Sequence, residues 1–236
     1  MIEVVKAIVI HSVPHKDSTR IVYVLSDSDQ IITLYASGFG KKRSPQAAVY
    51  YPGNHIEIEV VKSPKSTLLK AKEANIISPW QTLQSDFYKS TVLTFMLECL
   101  MVYIKQGHVS NGLYDTVLNY LDILDNEDVD YANMPIVFLL KLSQYLGIYP
   151  ENGDGYFNIR EGKFEMRKHS SYGMEKEDSS KLACLLPLKP SDQLKEKMGN
   201  NQRRSLIKNY LEFLDFHIDG HMKVLSLDVL STVLND

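Results

Sequence analysis

The sequence predicts an α+β protein in two parts. A five-stranded β-barrel occupies residues 1–78, and an all-helical part, residues 79–236, carries a small β insertion near 153–176. Three observations predict this. Apolar residues recur with a period of two up to about residue 78 and at helical spacing after it. Turn residues cut the first part into pieces of strand length. A polar, glycine-rich stretch, E-N-G-D-G at 151–155, interrupts the helical pattern once.

The strands are V-V-K-A-I-V-I-H, R-I-V-Y-V-L-S, Q-I-I-T-L-Y-A-S, H-I-E-I-E-V-V-K and L-L-K-A-K-E-A-N. I-E-I-E-V is the clearest, with Ile56, Ile58 and Val60 facing inward and Glu57 and Glu59 outward. Turn signals separate them: P-H-K-D-S, S-D-S-D, S-G-F-G-K-K-R-S-P, Y-P-G-N and K-S-P-K-S. So many short strands in so few residues favour a closed barrel, which leaves no exposed edge.

Ser78-Pro79-Trp80-Gln81 reads as a helix start, with Ser as N-cap, Pro at the first position and Gln three residues on. The stripe Leu83, Phe87, Val92, Leu93, Met96, Leu97, Leu100, Met101 and Ile104 follows, up to Gly107. Further helices are predicted over 113–124 and 134–146, the latter with Pro135 in its first turn and Gly147 after its end. A hairpin is predicted at 156–159 and 163–167 around Glu161-Gly162. Helices return at 179–186, 202–218 and 225–234.

The chain has 236 residues, 44% hydrophobic and 23% charged, the composition of a globular protein. Cys99 and Cys184 are too few for a disulfide framework, and both sit in apolar runs that predict buried, reduced thiols. No basic leader precedes the first strand and no apolar run reaches spanning length, so no membrane is expected and a cytoplasmic, nucleoid-associated location is. The net charge of −3 is unevenly spread: +3 through Trp80, −7 from Gln81 to Asn158, and +1 beyond. A basic front admits two readings, a polyanion partner or solvated surface charge.

Gly40-Lys41 resembles the end of a nucleotide-phosphate loop, G-x-x-x-x-G-K-S/T. Tyr35 stands where that loop needs its first Gly, Lys42 stands at the Ser/Thr position, and no helix pattern follows. Lys41, Lys42 and Arg43 are therefore either a solvated hairpin tip or contacts to a nucleic-acid backbone. Tyr35, Phe39, Tyr50 and Tyr51 lie nearby as base-stacking or, by the commoner fate of aromatics, packing residues. His11 with His15 and His217 with His221 are four apart, but Pro14 and Gly220 intervene and neither pair has a third ligand for zinc. Cys99 has no partner motif for nucleophilic catalysis. The acids of 122–130 lack the glycine and terminal glutamate of a calcium loop.

Four stretches together resemble the RecO family of bacterial repair and recombination mediators. They are K-A-I-V-I-H-S-V-P-H-K-D-S-T-R-I-V-Y-V-L-S, I-T-L-Y-A-S-G-F-G-K-K-R-S, E-A-N-I-I-S-P-W-Q-T-L-Q-S-D and L-L-K-L-S-Q-Y-L-G-I-Y-P. The resemblance runs the length of the chain as a diffuse pattern in consistent order. It implies an N-terminal OB-fold barrel followed by a helical domain, and binding of single- and double-stranded DNA. It also implies strand annealing, and loading of RecA onto strands coated with single-strand-binding protein (SSB), all without enzymatic turnover. The implied partners are RecR, the SSB C-terminal tail, RecA and, in many bacteria, RecF. The family's basic barrel loop matches Lys41, Lys42 and Arg43, with Arg20 and Lys16 as weaker DNA contacts. An acidic, aromatic-ended SSB tail requires cations beside an apolar groove, for which Arg203, Arg204 and Lys208 beside Leu206 and Ile207 are the candidates. Many members also carry paired C-x-x-C thiolates after L-G-Y/I-x-P. This chain has no Cys there, so no zinc and no other cofactor is expected. An OB-fold RNA-binding protein and a protein-interaction adaptor are the alternatives.

Overall fold

The computed structural model describes residues 2–39, 45–61, 68–104, 110–126, 131–218 and 223–233. Strands β1 (Ile2–Lys16), β2 (Thr19–Ser26), β3 (Ile31–Ser37), β4 (His55–Val61) and β5 (Leu69–Ser78) close a barrel in the order β1-β2-β3-β5-β4. All pairs are antiparallel except β3 with β5. A short helix, α1 (Pro45–Val49), lies between β3 and β4. The predicted alternation in β4 holds: Ile56, Ile58 and Val60 are buried and Glu57 is exposed. Lys6 of β1 stands opposite Glu57, an opposite-charge cross-strand pair on the outer surface.

β1 is longer than its sequence pattern predicts, running through Pro14 to Lys16. Its continuous apolar run exists because both of its faces are covered. Val5, Ala7 and Val9 fill the barrel, while Ile8 and Ile10 join the core of the helical part. The register against β2 shifts between Val9 and His11. That bulge adds one residue, so His11 lies opposite Tyr23 on the outer face instead of entering the barrel.

The predicted helix start at Ser78 is displaced. Ser78 pairs with His55 as the last residue of β5, and the Trp80 indole donates to Gly53 O at 2.8 Å. The amides of Gln81, Thr82 and Leu83 donate to the Asp125 carboxylate at 3.0, 2.8 and 2.7 Å, which holds this segment as turns. Helix α2 (Phe87–Tyr103) starts after Asp86, whose side chain accepts from the Lys89 amide at 2.9 Å. α2 is buried over most of its circumference and forms the axis of the helical part. Around it pack α3 (Leu113–Asp125), α4 (Met134–Tyr145), which in turn meets α7 (Asn200–His217), and α8 (Ser226–Val233). Two more helices, α5 (Lys176–Leu185) and α6 (Pro190–Lys195), connect the hairpin to α7. α6, opening on Pro190, escapes the sequence pattern because one turn and a half is too short to show a period.

Barrel and helices share one core: Ile8, Ile10 and Leu25 cluster with Leu83 and the apolar faces of α2 and α3. Polar contacts fix the junction. Asp29, in the left-handed conformation at φ 61°, accepts from the amides of Gly112 and Tyr114 at 2.7 Å each. It thereby satisfies the N-terminus of α3, whose own N-cap, Gly112, has no side chain to do so. His55 Nε2 and Tyr114 Oη are 2.6 Å apart.

The hairpin predicted at 156–167 forms as β6 (Tyr156–Asn158) and β7 (Lys163–Glu165). Asn158 Oδ1 accepts from the amides of Arg160 and Glu161, and Gly162 turns at φ 67°. Phe157 packs against Phe164 and Phe213 at centroid distances of 5.2 and 5.6 Å. These apolar rings occupy the hairpin interior and offer no thiolate, so the residues do not fit the zinc knuckle that the resemblance implies for many members. One thiol departs from expectation: Cys99 is buried, but Cys184 is exposed on α5.

Candidate nucleic-acid interface

Alternation along β1–β3 builds the site. Val22, Val24, Leu34 and Ala36 fill the barrel, so Ile21, Tyr23, Thr33 and Tyr35 must face outward. Toward one end of this face Ile8, Leu25 and Ile31 are covered by the helices. Toward the other end the described residues leave His11, His15 and Lys16 exposed. There His11 stacks beside Tyr23, with centroids 6.3 Å apart and planes 25° apart. His15 meets Tyr35 edge-on at 6.0 Å. Both histidines are exposed and both tyrosines half-buried, so two ring pairs lie on the outer surface of the three strands. Ring faces on an open barrel surface are platforms on which unpaired bases stack.

Lys16, next in sequence to His15, is exposed opposite Thr19. The amides of Gly38 and Phe39 both donate to Ser18 O, at 3.0 and 3.1 Å, so the chain leaves β3 beside the Lys16–Ser18 turn. Lys41, Lys42 and Arg43 follow directly and lie outside the described residues. Arg20 occupies a different position. It pairs with Pro14 and Ala36 on the inward side, and its guanidinium lies 5.6 Å from the Phe39 ring centroid, closing one end of the barrel. Phe39 in turn packs on buried Tyr50 at 5.8 Å, so these two aromatics are structural. Tyr35 is a surface ring, and Tyr51 is exposed.

The second predicted group divides. Arg203 is only 7% exposed. Its Nε donates to Asn133 Oδ1 at 2.9 Å, Nη1 to Asn200 Oδ1 at 2.7 Å and Nη2 to Met198 O at 3.1 Å. Leu206 and Ile207 are core residues and line no groove. Arg204 is half-buried and Lys208 exposed, one helical turn apart. A groove of about 760 Å³ lies elsewhere, between the Tyr51-Pro52 turn, Leu93 and Leu97 of α2, Leu225 just before α8, and Val229 of α8. His11 lines its barrel end, so it adjoins the aromatic face.

The pairing of His11 with Tyr23 is not anticipated from the sequence, where His11 figures only as a rejected zinc ligand. Only the outward direction of Tyr23 is signalled, by I-V-Y-V at 21–24, whose two valines belong to one face and whose Ile and Tyr belong to the other. No group of three or more His, Cys, Asp or Glu suited to a metal occurs among the described residues, and no described helix is long and apolar enough to cross a membrane.

A closed five-stranded barrel with this strand order, an aromatic outer face and an appended helical body defines an OB-fold protein with a helical C-terminal part. Residues 1–80 match the family model described as Recombination protein O N terminal, and residues 84–170 match Recombination protein O C terminal. Proteins named DNA repair protein RecO from Flavobacterium johnsoniae and Flavobacterium psychrophilum are 30% and 29% identical over 98% of each chain. The one from Azobacteroides pseudotrichonymphae is 26% identical over 98% of each chain. The chain belongs to the RecO family of DNA repair proteins.

Proposed function

We propose that this chain is a recombination mediator that binds single- and double-stranded DNA through the outer face of β1–β3. It anneals complementary strands and helps load RecA onto SSB-coated DNA, without enzymatic turnover. The observation that supports this reading best is the two ring pairs, His11 with Tyr23 and His15 with Tyr35, on the outer barrel face near exposed Lys16. Stacking on such rings is tolerant of sequence, and cations along the edge displace counterions from phosphate. Two strands held on one positive surface repel each other less, which favours pairing. Lys41, Lys42 and Arg43 belong to the same proposal, because they follow closely on Phe39, whose amide donates to Ser18 O. The proposed partners are RecR, RecA, the SSB tail and, as in many bacteria, RecF. For the tail, Arg204 and Lys208 are the candidate cations, while the Arg203 guanidinium is taken up by Asn133, Asn200 and Met198.

The test is annealing of complementary oligonucleotides precoated with SSB. Changing Lys41, Lys42 and Arg43 together to Ala slows annealing and lowers the salt dependence of single-strand binding by roughly two in log–log slope, about 0.7 for each phosphate no longer neutralised. Unchanged annealing and slope would refute the loop assignment.

A further inference from the structure

The β6–β7 hairpin and the end of α7 carry a second group of rings and cations that the barrel reading leaves unused. Phe157 and Phe213 turn into the core. Three other rings do not. Tyr172 stacks on exposed His169, with centroids 5.2 Å apart and planes 29° apart. It meets Phe216 of α7 edge-on at 5.4 Å, and Phe216 is 45% exposed. The His169 ring is held in place because its Nδ1 accepts from the amides of Ser171 and Tyr172 at 3.2 and 3.1 Å. The guanidinium of exposed Arg160 lies 5.4 Å from the Tyr172 centroid, and it makes no ion pair among the described residues.

Charge selects the ligand. Residues 160–176 hold five Lys or Arg against three Glu, and Lys168 is paired with Glu175. Lys163 and Arg167 of the same segment are exposed, while Glu161, Glu165 and, on α7, Glu212 and Asp215 temper the field. Exposed ring faces next to a guanidinium and further cations suit a polyanion that also offers flat π faces. A duplex keeps its base faces covered, so the ligand must be single-stranded.

We propose that this hairpin is a second binding site for single-stranded nucleic acid, separate from the barrel face. Bases stack on His169, Tyr172 and Phe216, with Arg160 completing the platform and Lys163 and Arg167 reaching phosphates. The ligand class rests on the barrel reading, but the site does not share its residues. Two strand sites on one molecule give annealing both of its substrates.

The experiment is photocrosslinking of the full chain to an oligo(dT) carrying 5-iodouracil, with crosslinked residues mapped by mass spectrometry. It is run on the wild type and on a Tyr23→Ala/Tyr35→Ala barrel variant. The expected result is crosslinking at both sites in the wild type, retained at Tyr172 or Phe216 in the barrel variant. In that background Tyr172→Ala weakens oligo(dT) binding about tenfold, the scale of one base stack, while Tyr172→Phe keeps it. Arg160→Ala, at an exposed position, weakens binding without touching the fold. Crosslinks confined to the barrel would overturn the hairpin site and leave the barrel reading standing. No crosslink anywhere would overturn both.

Discussion

Tyr23 shows how a single residue acquires a role. Its outward direction follows from the alternation of β2, and its neighbour from a bulge in β1 that turns His11 out beside it. Asp125 is the structural counterpart at the same scale. Burial alone would raise its carboxyl, but the amides of Gln81, Thr82 and Leu83 and the Thr82 hydroxyl together hold it below the usual carboxylate range. Buried Lys89 reinforces this corner by donating to Asp125 O and Asn126 O, the carbonyls that end α3. Asp125→Ala leaves three amides without their acceptor. The expected loss is about 1–3 kcal/mol, read as a fall in denaturant midpoint with the slope unchanged. A midpoint equal to wild type would remove Asp125 from the account.

At the scale of elements, strands and long helices were legible because periodicity is a local signal. Ile56, Ile58 and Val60 mark β4 unaided, and Leu206, Tyr210, Leu211 and Leu214 mark α7. The start of α2 was not legible. S-P-W-Q has the local chemistry of a helix start, but Ser78 is held in the barrel ladder and the next amides by a carboxylate more than forty positions away. Arg203 illustrates the same limit. A cation in a polar helix start reads as surface, and only the fold brings Asn133 against it. The ring pairs on β1–β3 are half legible: Tyr35 is a candidate from the sequence, but His11 reaches the face through a bulge that leaves no sequence mark. The hairpin gives a test at this scale. Its interior is Phe157, Phe164 and Phe213, so prolonged chelation is expected to leave the melting temperature unchanged. A fall on chelation, reversed by zinc, would contradict an apolar hairpin.

At the scale of the whole molecule, barrel and helices behave as one body because Ile8, Ile10 and Leu25 extend the helical core into the barrel. The His55–Tyr114 contact joins the same two parts. The His55 imidazole is pushed below its usual range by burial and by Lys6, opposed by Asp122. A histidine depressed in the folded state is charged more readily when unfolded. Its stabilising contribution is therefore complete above the ordinary imidazole value, about 6.5, and declines as pH falls through that value toward the folded one. Asp125, also depressed, keeps its contribution above the ordinary carboxylate value and loses it in more acid solution. Two successive losses of stability on acidification are expected, and His55→Gln should remove the first. A variant that retains the first loss would place its origin elsewhere.

The central claim, that the open face of β1–β3 is where DNA is held, is tested most directly by fluorescence anisotropy of a labelled oligo(dT) over a series of salt concentrations. Wild type is compared with His11→Ala/Tyr23→Ala/Tyr35→Ala. These rings are exposed or half-buried on the outer surface, so folding is expected to survive. Removing base stacks there should weaken binding by roughly tenfold or more while leaving the salt slope nearly unchanged, because the phosphate contacts remain. Affinity equal to wild type at every salt concentration would contradict the claim and move the DNA site off this face.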